Sequence, residues 1–190
     1  MRLLLASKSP RRRELLSQLG FPIEFVDIDV DEHIGTPLPP SQVAEHLARR
    51  KADAFPLQQL HDDDVLVTAD TVVVHGSDIL GKPHSRGEAV AMLRALSGDR
   101  HTVYTGVCLR SSNQDFSFTE STDVIFTKLT DKDIDYYVDT YRPYDKAGAY
   151  GIQEWIGMIG IRAIEGCYYN VVGLPVATLY DNLRKRFLSN

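Results

Sequence analysis

The sequence predicts an α/β protein in which helices cover a mixed sheet. Strand-like apolar runs alternate with helical segments in the first half of the chain, and the second half is richer in strands. The composition, 43% apolar and 25% charged residues, is that of an ordinary globular protein. The 190 residues suffice for one domain or for two small lobes that share a sheet, and we predict a single domain over residues 1–190.

The first half of the chain carries clear signals for the ends of its elements. Ser9 is a predicted N-cap with Pro10 at the first helical position, and Gly20 follows that helix. Ser85 and Glu88 form a predicted capping box. The predicted strands span residues 2–6, 23–28, 65–74 and 79–80, and the predicted helices span 10–19, 41–55 and 85–97.

The second half is predicted to contain two long neighbouring strands, at 103–110 and 118–128, which flank the polar turn 111–115. Thr130 caps a predicted helix that ends near Thr140, and a loop rich in Gly and Tyr follows. Residues 158–164 resemble a strand. Pro175 opens a last helix, whose basic final turn we interpret as structural because cations stabilise a helix C-terminus.

Charge, cysteines and hydropathy exclude several classes of protein. The net charge of −5 argues against a surface built for non-specific nucleic-acid binding. Cys108 and Cys167 lack the spacing of metal ligands, so we expect buried thiols in a reducing compartment and a cytoplasmic protein. The N-terminus is not a signal peptide, and no apolar run approaches the roughly 20 residues that span a membrane.

Four cations lie at the predicted start of the first helix, in the segment SKSPRRRELL at residues 7–16. Lys8 precedes the helix, and Arg11, Arg12 and Arg13 lie in its first turn. A helix N-terminus is already partly positive, so its first turn ordinarily favours Asp or Glu. Because a phosphate group satisfies both the free backbone N–H groups and the guanidinium groups, the cluster predicts a phosphate-binding site.

Three further charged residues lie at positions where an apolar or neutral residue is expected. Lys51 falls within the apolar arc of helix 41–55, where its stem packs while its head reaches water or its ammonium meets an interior anion. Asp70 interrupts the run VLVTADTVVV, where it is either paired, metal-binding or catalytic, or forms a turn at which the strand breaks. Lys82 lies in the turn Gly-Lys-Pro, a weak signal because surface turns often contain lysine.

Together these groups form an inventory suited to a polyphosphate and a divalent metal. The acidic stretch that ends at Glu32 is by itself typical of a solvated loop, but with Asp70 it supplies carboxylates for Mg²⁺ or Mn²⁺. Lysines and arginines supply donors to phosphate oxygens. The sequence contains neither a Walker A loop nor the histidine spacing of a zinc enzyme.

Six motifs occur in an order and spacing that resemble the Maf family of nucleoside triphosphate pyrophosphatases. They are LLASKSPRRRELL, TADTVV, GKP, LSG, DKAGAYGIQ and NVVGLP, and they extend from residue 3 to about residue 176. The first and fifth are the most specific, and KAGAYGIQ indicates the branch that acts on dTTP and UTP. Thr68 stands where the family often has Gly, a difference that we expect to be neutral.

The resemblance implies a fold and a reaction. The implied fold has two lobes around a long bent mixed sheet flanked by helices, with the nucleotide in a central cleft, as in the related inosine triphosphate pyrophosphatases. The implied reaction is hydrolysis between the α- and β-phosphates, which yields a nucleoside monophosphate and pyrophosphate in a housecleaning role. A divalent cation, Mg²⁺ or Mn²⁺, is the implied cofactor.

The resemblance also assigns roles to individual residues. The phosphate-binding positions are Ser7, Arg11 and Arg12; the catalytic and metal-site positions are Glu32, Lys51, Asp70 and Lys82; and the substrate-selecting positions are Arg11, Thr71 and Gln153. Asp70 is the implied proton acceptor, and Asp70 and Glu32 are the implied metal ligands. Without the resemblance, Gln153 would be interpreted as a loop residue that bonds to backbone; its amide can also match the donor and acceptor edge of uracil or thymine.

Alternatives of another class stay open at this point. The protein is either an enzyme acting on pyrimidine triphosphates, an enzyme acting on methylated or purine triphosphates, or a nucleotide-binding regulator of cell division. Asp70 favours an enzyme, because a carboxylate beside bound polyphosphate repels it unless a metal or a proton transfer requires the group. We expect a nucleotide as partner, and neither membrane nor nucleic acid; a homodimer remains open.

Overall fold

This computed structural model describes residues 1–30 and 38–188 of the chain. The strands are β1 (Arg2–Ala6), β2 (Ile23–Val26), β3 (Asp64–His75), β4 (Asp78–Leu80), β5 (Arg100–Arg110), β6 (Asp115–Phe126) and β7 (Ile161–Glu165). The helices are α1 (Pro10–Ser17), α2 (Pro40–Asp53), α3 (Arg86–Leu96), α4 (Asp131–Tyr141), α5 (Trp155–Gly160), α6 (Tyr168–Val172) and α7 (Val176–Arg186).

The strands form one mixed sheet in the order β2-β1-β3-β5-β6-β7, with β4 beside β3. Strand β1 is parallel to both of its neighbours, so that Leu4 lies opposite Glu24 on β2 and Leu66 on β3. Strand β4 runs antiparallel to β3, and β7 runs antiparallel to β6 with an irregularity at Ile125 and Phe126. The predicted mixed sheet flanked by helices is confirmed.

The first of two compact units comprises residues 1–70, 105–120 and 173–190. Alternate residues of β1 and β3 point to opposite faces of a strand, and each face has its own core. One core joins β1, β3 and β5 to α1 and α7 and includes Leu3, Leu5, Leu16, Val65, Val67, Val107, Leu179 and Leu183. The other joins them to α2 and includes Leu4, Ala6, Ala48, Ala52, Phe55, Leu66 and Cys108. Helix α2 therefore packs on the face that carries the even-numbered residues of β3.

The second unit comprises residues 71–104 and 121–172. Its core joins the sheet to α3, α4 and α5 and includes Val73, Ala89, Leu93, Val103, Val124, Phe126, Ile134, Tyr137 and Ile156. Both predicted helix starts are confirmed. Ser85 accepts a hydrogen bond from the N–H of Glu88, whose carboxylate accepts from the N–H of His84 and not from that of Ser85 as a capping box requires. Thr130 forms a reciprocal capping box with Asp133.

Two further local expectations were wrong, and one helix was not predicted. Residues 158–164 are not one strand, because α5 occupies Trp155–Gly160 and β7 begins only at Ile161. A short apolar run fits a buried helix as well as a strand. Within α5, Gly157 lies so close to Ile152 that a Cβ atom would be 1.8 Å from its carbonyl oxygen, so only glycine fits there. Helix α6 was not predicted. Cys108 is buried as expected, but Cys167 is only half-buried.

Candidate active site

The segment Ser7–Ser9 forms a hydrogen-bonded loop at the N-terminus of α1. Ser9 is the N-cap, and its hydroxyl oxygen accepts a bond of 3.4 Å from the N–H of Arg12. The N–H of Ser9 itself donates to the hydroxyl of Ser7 over 3.2 Å. The predicted N-cap and the proline at the first helical position are therefore confirmed, and Ser7 belongs to the turn that precedes the helix.

Arg12 and Arg13, in the first turn of α1, are tied to main-chain carbonyls. Nε of Arg12 donates to the carbonyl oxygen of Gly173 over 2.8 Å, which fixes the orientation of its guanidinium group. Nε of Arg13 donates to the carbonyl oxygen of Ser7 over 2.9 Å, and its guanidinium lies 4.9 Å from the centre of the Phe25 ring. Arg13 therefore braces the loop itself, whereas Arg12 links α1 to the segment that precedes α7.

Lys51 and Asp70 form an ion pair, with 2.7 Å between Nζ and Oδ2. Each side chain is only 15% exposed, so both charges are largely removed from water. Strand β3 continues through Asp70 without a break, which excludes the interpretation of Asp70 as a turn residue. The interior anion that one interpretation of Lys51 required is this carboxylate.

Helix α2 can bring Lys51 close to β3 because the contact between helix and sheet uses small residues. A Cβ atom on Gly106 of β5 would lie 2.2 Å from the backbone nitrogen of Glu45, so only glycine fits there. The carboxylate of Glu45 accepts a hydrogen bond from the hydroxyl of Ser117 and one of 3.0 Å from that of Thr119, both on β6. These contacts fix the first half of α2 on the sheet.

In the second unit, the GKP turn is hydrogen-bonded to the KAGAYGIQ segment. The N–H of Gly148 donates to the carbonyl oxygen of Gly81 over 3.1 Å, next to the exposed Lys82. Gly148 has φ +69°, and a Cβ atom at this position would lie 3.1 Å from the side chain of Val73. The backbone conformation and the close contact both favour glycine here, so the motif holds the loop against β3.

The loop around Gln153 is supported by a buried polar network. The hydroxyl of Tyr137, a fully buried residue of α4, donates to the carboxylate of Glu154 and accepts a bond of 3.0 Å from the N–H of Gly151. Nζ of the buried Lys146 lies 3.0 Å from the other carboxylate oxygen of Glu154. Burial raises the pKa of the Tyr137 hydroxyl well above its ordinary range, and Glu154 raises it further, so the phenol stays a donor.

Gln153 lies between the two residues that this network holds, and it is exposed. A Cβ atom on Gly151 would lie 2.9 Å from the carboxylate carbon of Glu154 and 3.1 Å from Nε2 of Gln153. The network therefore holds the backbone on both sides of Gln153. Because Gln153 is exposed, its amide is accessible to a ligand, and the exposure does not support the interpretation that it only bonds to backbone.

The candidate residues fall into two sets. Ser7, Arg11, Arg12, Lys51 and Asp70 belong to the first unit, and Thr71, Lys82 and Gln153 belong to the second. Glu32 lies outside the described residues. Among the residues that are described, no group of three or more His, Cys, Asp or Glu side chains could hold a metal ion.

Three residues of the Gln153 network were not singled out from the sequence. Lys146 lies inside the KAGAYGIQ motif, and a lysine among Gly and Ala in an apolar stretch was a signal that could have identified it. Tyr137 and Glu154 carry no such signal, because an amphipathic helix and a loop commonly contain Tyr and Glu.

The family model described as Maf-like protein matches residues 2–186 of this chain. The chain belongs to the Maf-like protein family. This Maf-like protein is 48% identical over 184 residues to the dTTP/UTP pyrophosphatase of Bacteroides thetaiotaomicron, a match that covers 96% of this chain and 95% of that protein. It is 49% identical over 185 residues to the dTTP/UTP pyrophosphatase of Porphyromonas gingivalis, covering 96% of this chain and 93% of the relative.

The fold of this Maf-like protein is similar to that of a solved structure. The Ham1 protein of Staphylococcus aureus superposes with a TM-score of 0.52 at 14% identity, over 97% of this chain and 99% of that one. At this identity the likeness concerns the fold alone, and it confirms the predicted α/β architecture. None of the described helices is both long and apolar enough to cross a membrane.

Proposed function

We propose that this Maf-like protein hydrolyses dTTP and UTP to the nucleoside monophosphate and pyrophosphate. The observation that carries the proposal is the largely buried ion pair between Lys51 of α2 and Asp70 in the middle of β3. A carboxylate inside an apolar strand is costly, and an enzyme that needs a proton acceptor gives a reason for it. Relatives that are 48–49% identical and named dTTP/UTP pyrophosphatase support the choice of substrates.

The proposed reaction is an in-line displacement at the α-phosphorus. The oxygen of a water molecule bonds to the phosphorus while a carboxylate oxygen of Asp70 accepts the proton. The bond between the α-phosphorus and the bridging oxygen breaks, and its electron pair leaves with pyrophosphate. Such a reaction depends mainly on the position of the reactants and on compensation of phosphate charge.

We assign the compensation of phosphate charge to four cationic side chains. Arg11 and Arg12 supply forked N–H donors beside the N-terminus of α1, a combination suited to phosphate oxygens. Without substrate, the ammonium of Lys51 has the carboxylate of Asp70 as its anion at 2.7 Å. A bound phosphate would give Lys51 a second anion and would leave Asp70 able to accept a proton. Lys82 is a further exposed cation that we assign to the phosphates.

We propose a divalent cation as cofactor. The described side chains suit a cation that shares its ligands with water and substrate. Mg²⁺ commonly binds to one or two protein carboxylates and takes its other ligands from water and substrate phosphates. Asp70 fits this role, whereas a cage made of protein side chains alone does not occur among the described residues. Mg²⁺ or Mn²⁺ bound by Asp70 would supply neutralisation of phosphate charge and acidification of a bound water.

Base recognition is assigned to Gln153 and Thr71. The amide of Gln153 offers one acceptor and one donor group, which pair with the N3–H and a carbonyl of uracil or thymine. Its exposure, together with the network that holds its neighbours, supports this role.

The experiment is a panel of dTTP, UTP, CTP, GTP and ATP with Mg²⁺ or Mn²⁺, in which pyrophosphate and orthophosphate are measured separately. We expect pyrophosphate from dTTP and UTP. Orthophosphate as the first product would contradict the cleavage site, a preference for GTP or ATP would contradict the substrate class, and binding of dTTP without turnover would indicate a nucleotide-binding regulator.

A matched pair of variants tests the catalytic role. Asp70→Asn should retain dTTP binding and lose about 10²-fold or more in kcat, because the amide cannot accept the proton. Asp62→Asn, which changes an exposed carboxylate in the turn before β3, is the control and should retain wild-type kcat. Near-normal turnover by Asp70→Asn would refute the assignment.

A further inference from the structure

Thr68 connects the two backbone segments that carry the ion pair. Its side chain is fully buried in β3, and its hydroxyl donates to the carbonyl oxygen of Ala48 in α2 over 2.6 Å. Asp70 follows Thr68 by two residues along β3, and Lys51 follows Ala48 by three residues along α2. This hydrogen bond therefore joins α2 to β3 about one helical turn before the 2.7 Å contact between Lys51 and Asp70.

The surroundings make this bond specific. Leu66, Thr68 and Asp70 share the face of β3 that packs against α2, because side chains alternate along a strand. Leu66 and the helix residues Ala48 and Ala52 belong to one apolar core. The carbonyl of Ala48 already lies within the hydrogen-bond ladder of α2, so the hydroxyl of Thr68 uses its second lone pair. Within this apolar core, Thr68 makes a directional hydrogen bond, whereas the side chains of Leu66, Ala48 and Ala52 make only van der Waals contacts.

The bond from Thr68 restrains the backbone of α2 directly, three residues before Lys51. Ala48 and Ala52 allow a close approach, but methyl groups tolerate small rotations and shifts of a helix. The hydroxyls of Ser117 and Thr119 donate to the carboxylate of Glu45 in the first half of α2. At the C-terminal end of the helix, Arg110 of β5 donates to the carboxylate of Asp53 over 2.7 Å. Both contacts act through a side chain of the helix and not through its backbone. Lysine has a flexible stem that does not by itself fix its ammonium, so movement of its backbone adds to the range of positions that the ammonium samples. A shift of about 1 Å in a catalytic group is enough to lower a rate substantially.

We propose that Thr68 is a positioning residue for the Lys51–Asp70 pair, acting through its bond to the carbonyl of Ala48. This revises our expectation that the difference at position 68 is neutral. A glycine there would lack the hydroxyl and with it this bond to α2. The kinetic part of the proposal rests on the proposed function, whereas the geometric part does not.

The test compares Thr68→Val, which removes the hydroxyl and keeps the shape, with Thr68→Ser, which restores the hydroxyl. Thr122→Val is the matched control. Thr122 is 1% exposed, and its hydroxyl accepts bonds from the N–H of Cys167 and from the amide of Asn170 in the second unit. It thus reports the effect of losing a buried threonine hydroxyl elsewhere.

The first measurement does not depend on enzymatic turnover. Lys51 is acetylated under limiting acetic anhydride, and its rate is measured by peptide mass spectrometry relative to the exposed Lys128. We expect Thr68→Val to raise the relative rate at Lys51 by about 3–10-fold, in line with the loss of one hydrogen bond. Thr68→Ser should return it to within about 2-fold of wild type, and Thr122→Val should leave it unchanged. Thr68→Ala serves as a second deletion if thermal melting shows that Thr68→Val does not fold.

The second readout is the split between kcat and KM for dTTP. We expect Thr68→Val to lower kcat by about 3–10-fold with KM within about 2-fold, because the pair acts in the chemical step. An unchanged acetylation rate, a Thr68→Ser variant that fails to restore it, or an equal effect of Thr122→Val would overturn the proposal. If wild type hydrolyses neither dTTP nor UTP, the proposed function fails, and the acetylation rates alone decide the role of Thr68.

Discussion

Replacing Tyr137 by Phe removes a single oxygen atom that serves two partners. The hydroxyl donates to the carboxylate of Glu154 and accepts from the N–H of Gly151 over 3.0 Å. A hydrogen bond to a charged group contributes about 1.5–3 kcal/mol and a neutral one about 0.5–1.5 kcal/mol. Glu154 keeps its contact of 3.0 Å with Lys146, which offsets part of the loss. We expect the free energy of unfolding to fall by about 2–4 kcal/mol.

For a chain of this size, that loss corresponds to a decrease of about 4–16 °C in Tm, which differential scanning fluorimetry measures directly. The control is Tyr141→Phe. The Tyr141 ring stacks on that of Tyr137 with 5.0 Å between centroids, and the residue is 36% exposed. Its change should alter stability by less than about 0.5 kcal/mol. We also expect Tyr137→Phe to reduce discrimination between dTTP and GTP, because Gln153 lies between Gly151 and Glu154. Equal Tm values for the two variants would refute the reasoning.

Three further predictions concern base selection, phosphate binding and pH. Gln153→Ala should weaken kcat/KM for dTTP and UTP by about 1–3 kcal/mol relative to GTP, and an equal decrease for all three would remove Gln153 from base recognition. Arg12→Ala should lower kcat/KM by about 10–10³-fold and abolish the increase in Tm that pyrophosphate gives wild type. Arg13→Ala should retain most of that increase, because its guanidinium group holds the carbonyl of Ser7 and is not assigned to the phosphates. Burial lowers the pKa of His101 to about 4, so the unfolded chain binds a proton between about pH 6.5 and 4 that the folded protein does not. Stability should therefore fall by about 3 kcal/mol as the pH falls through this window, and urea titrations of wild type and His101→Gln should differ in that slope.

The sequence was most informative where a charge lay in an apolar pattern. The position of Lys51 in the apolar arc of its helix and that of Asp70 in a continuous apolar strand each required a partner. The structure shows that they are partners of each other. The burial of a charge can be predicted from periodicity, but the identity of its partner depends on how a helix lies on a sheet. Nineteen residues separate this pair along the chain.

Other parts of the site depended on contacts that a single sequence does not encode. Tyr137 lies seventeen residues from Glu154, and the hydroxyl that joins them is ordinary on both elements. Thr68 looked neutral because its effect depends on a helix carbonyl twenty residues away. The run at 158–164 was misassigned because hydrophobicity alone does not distinguish a short helix from a strand.

The first unit joins the beginning of the chain to its end, which has a consequence for synthesis. Leu179 and Leu183 of α7 are fully buried in the same core as Leu3 and Leu5 of β1. A chain that emerges from the ribosome in order therefore exposes the apolar face of its first strand until the last helix has been released. A frameshift or nonsense codon as late as residue 175 would leave that core without α7, so that the product would be a target for proteases although all of the candidate site residues had been translated.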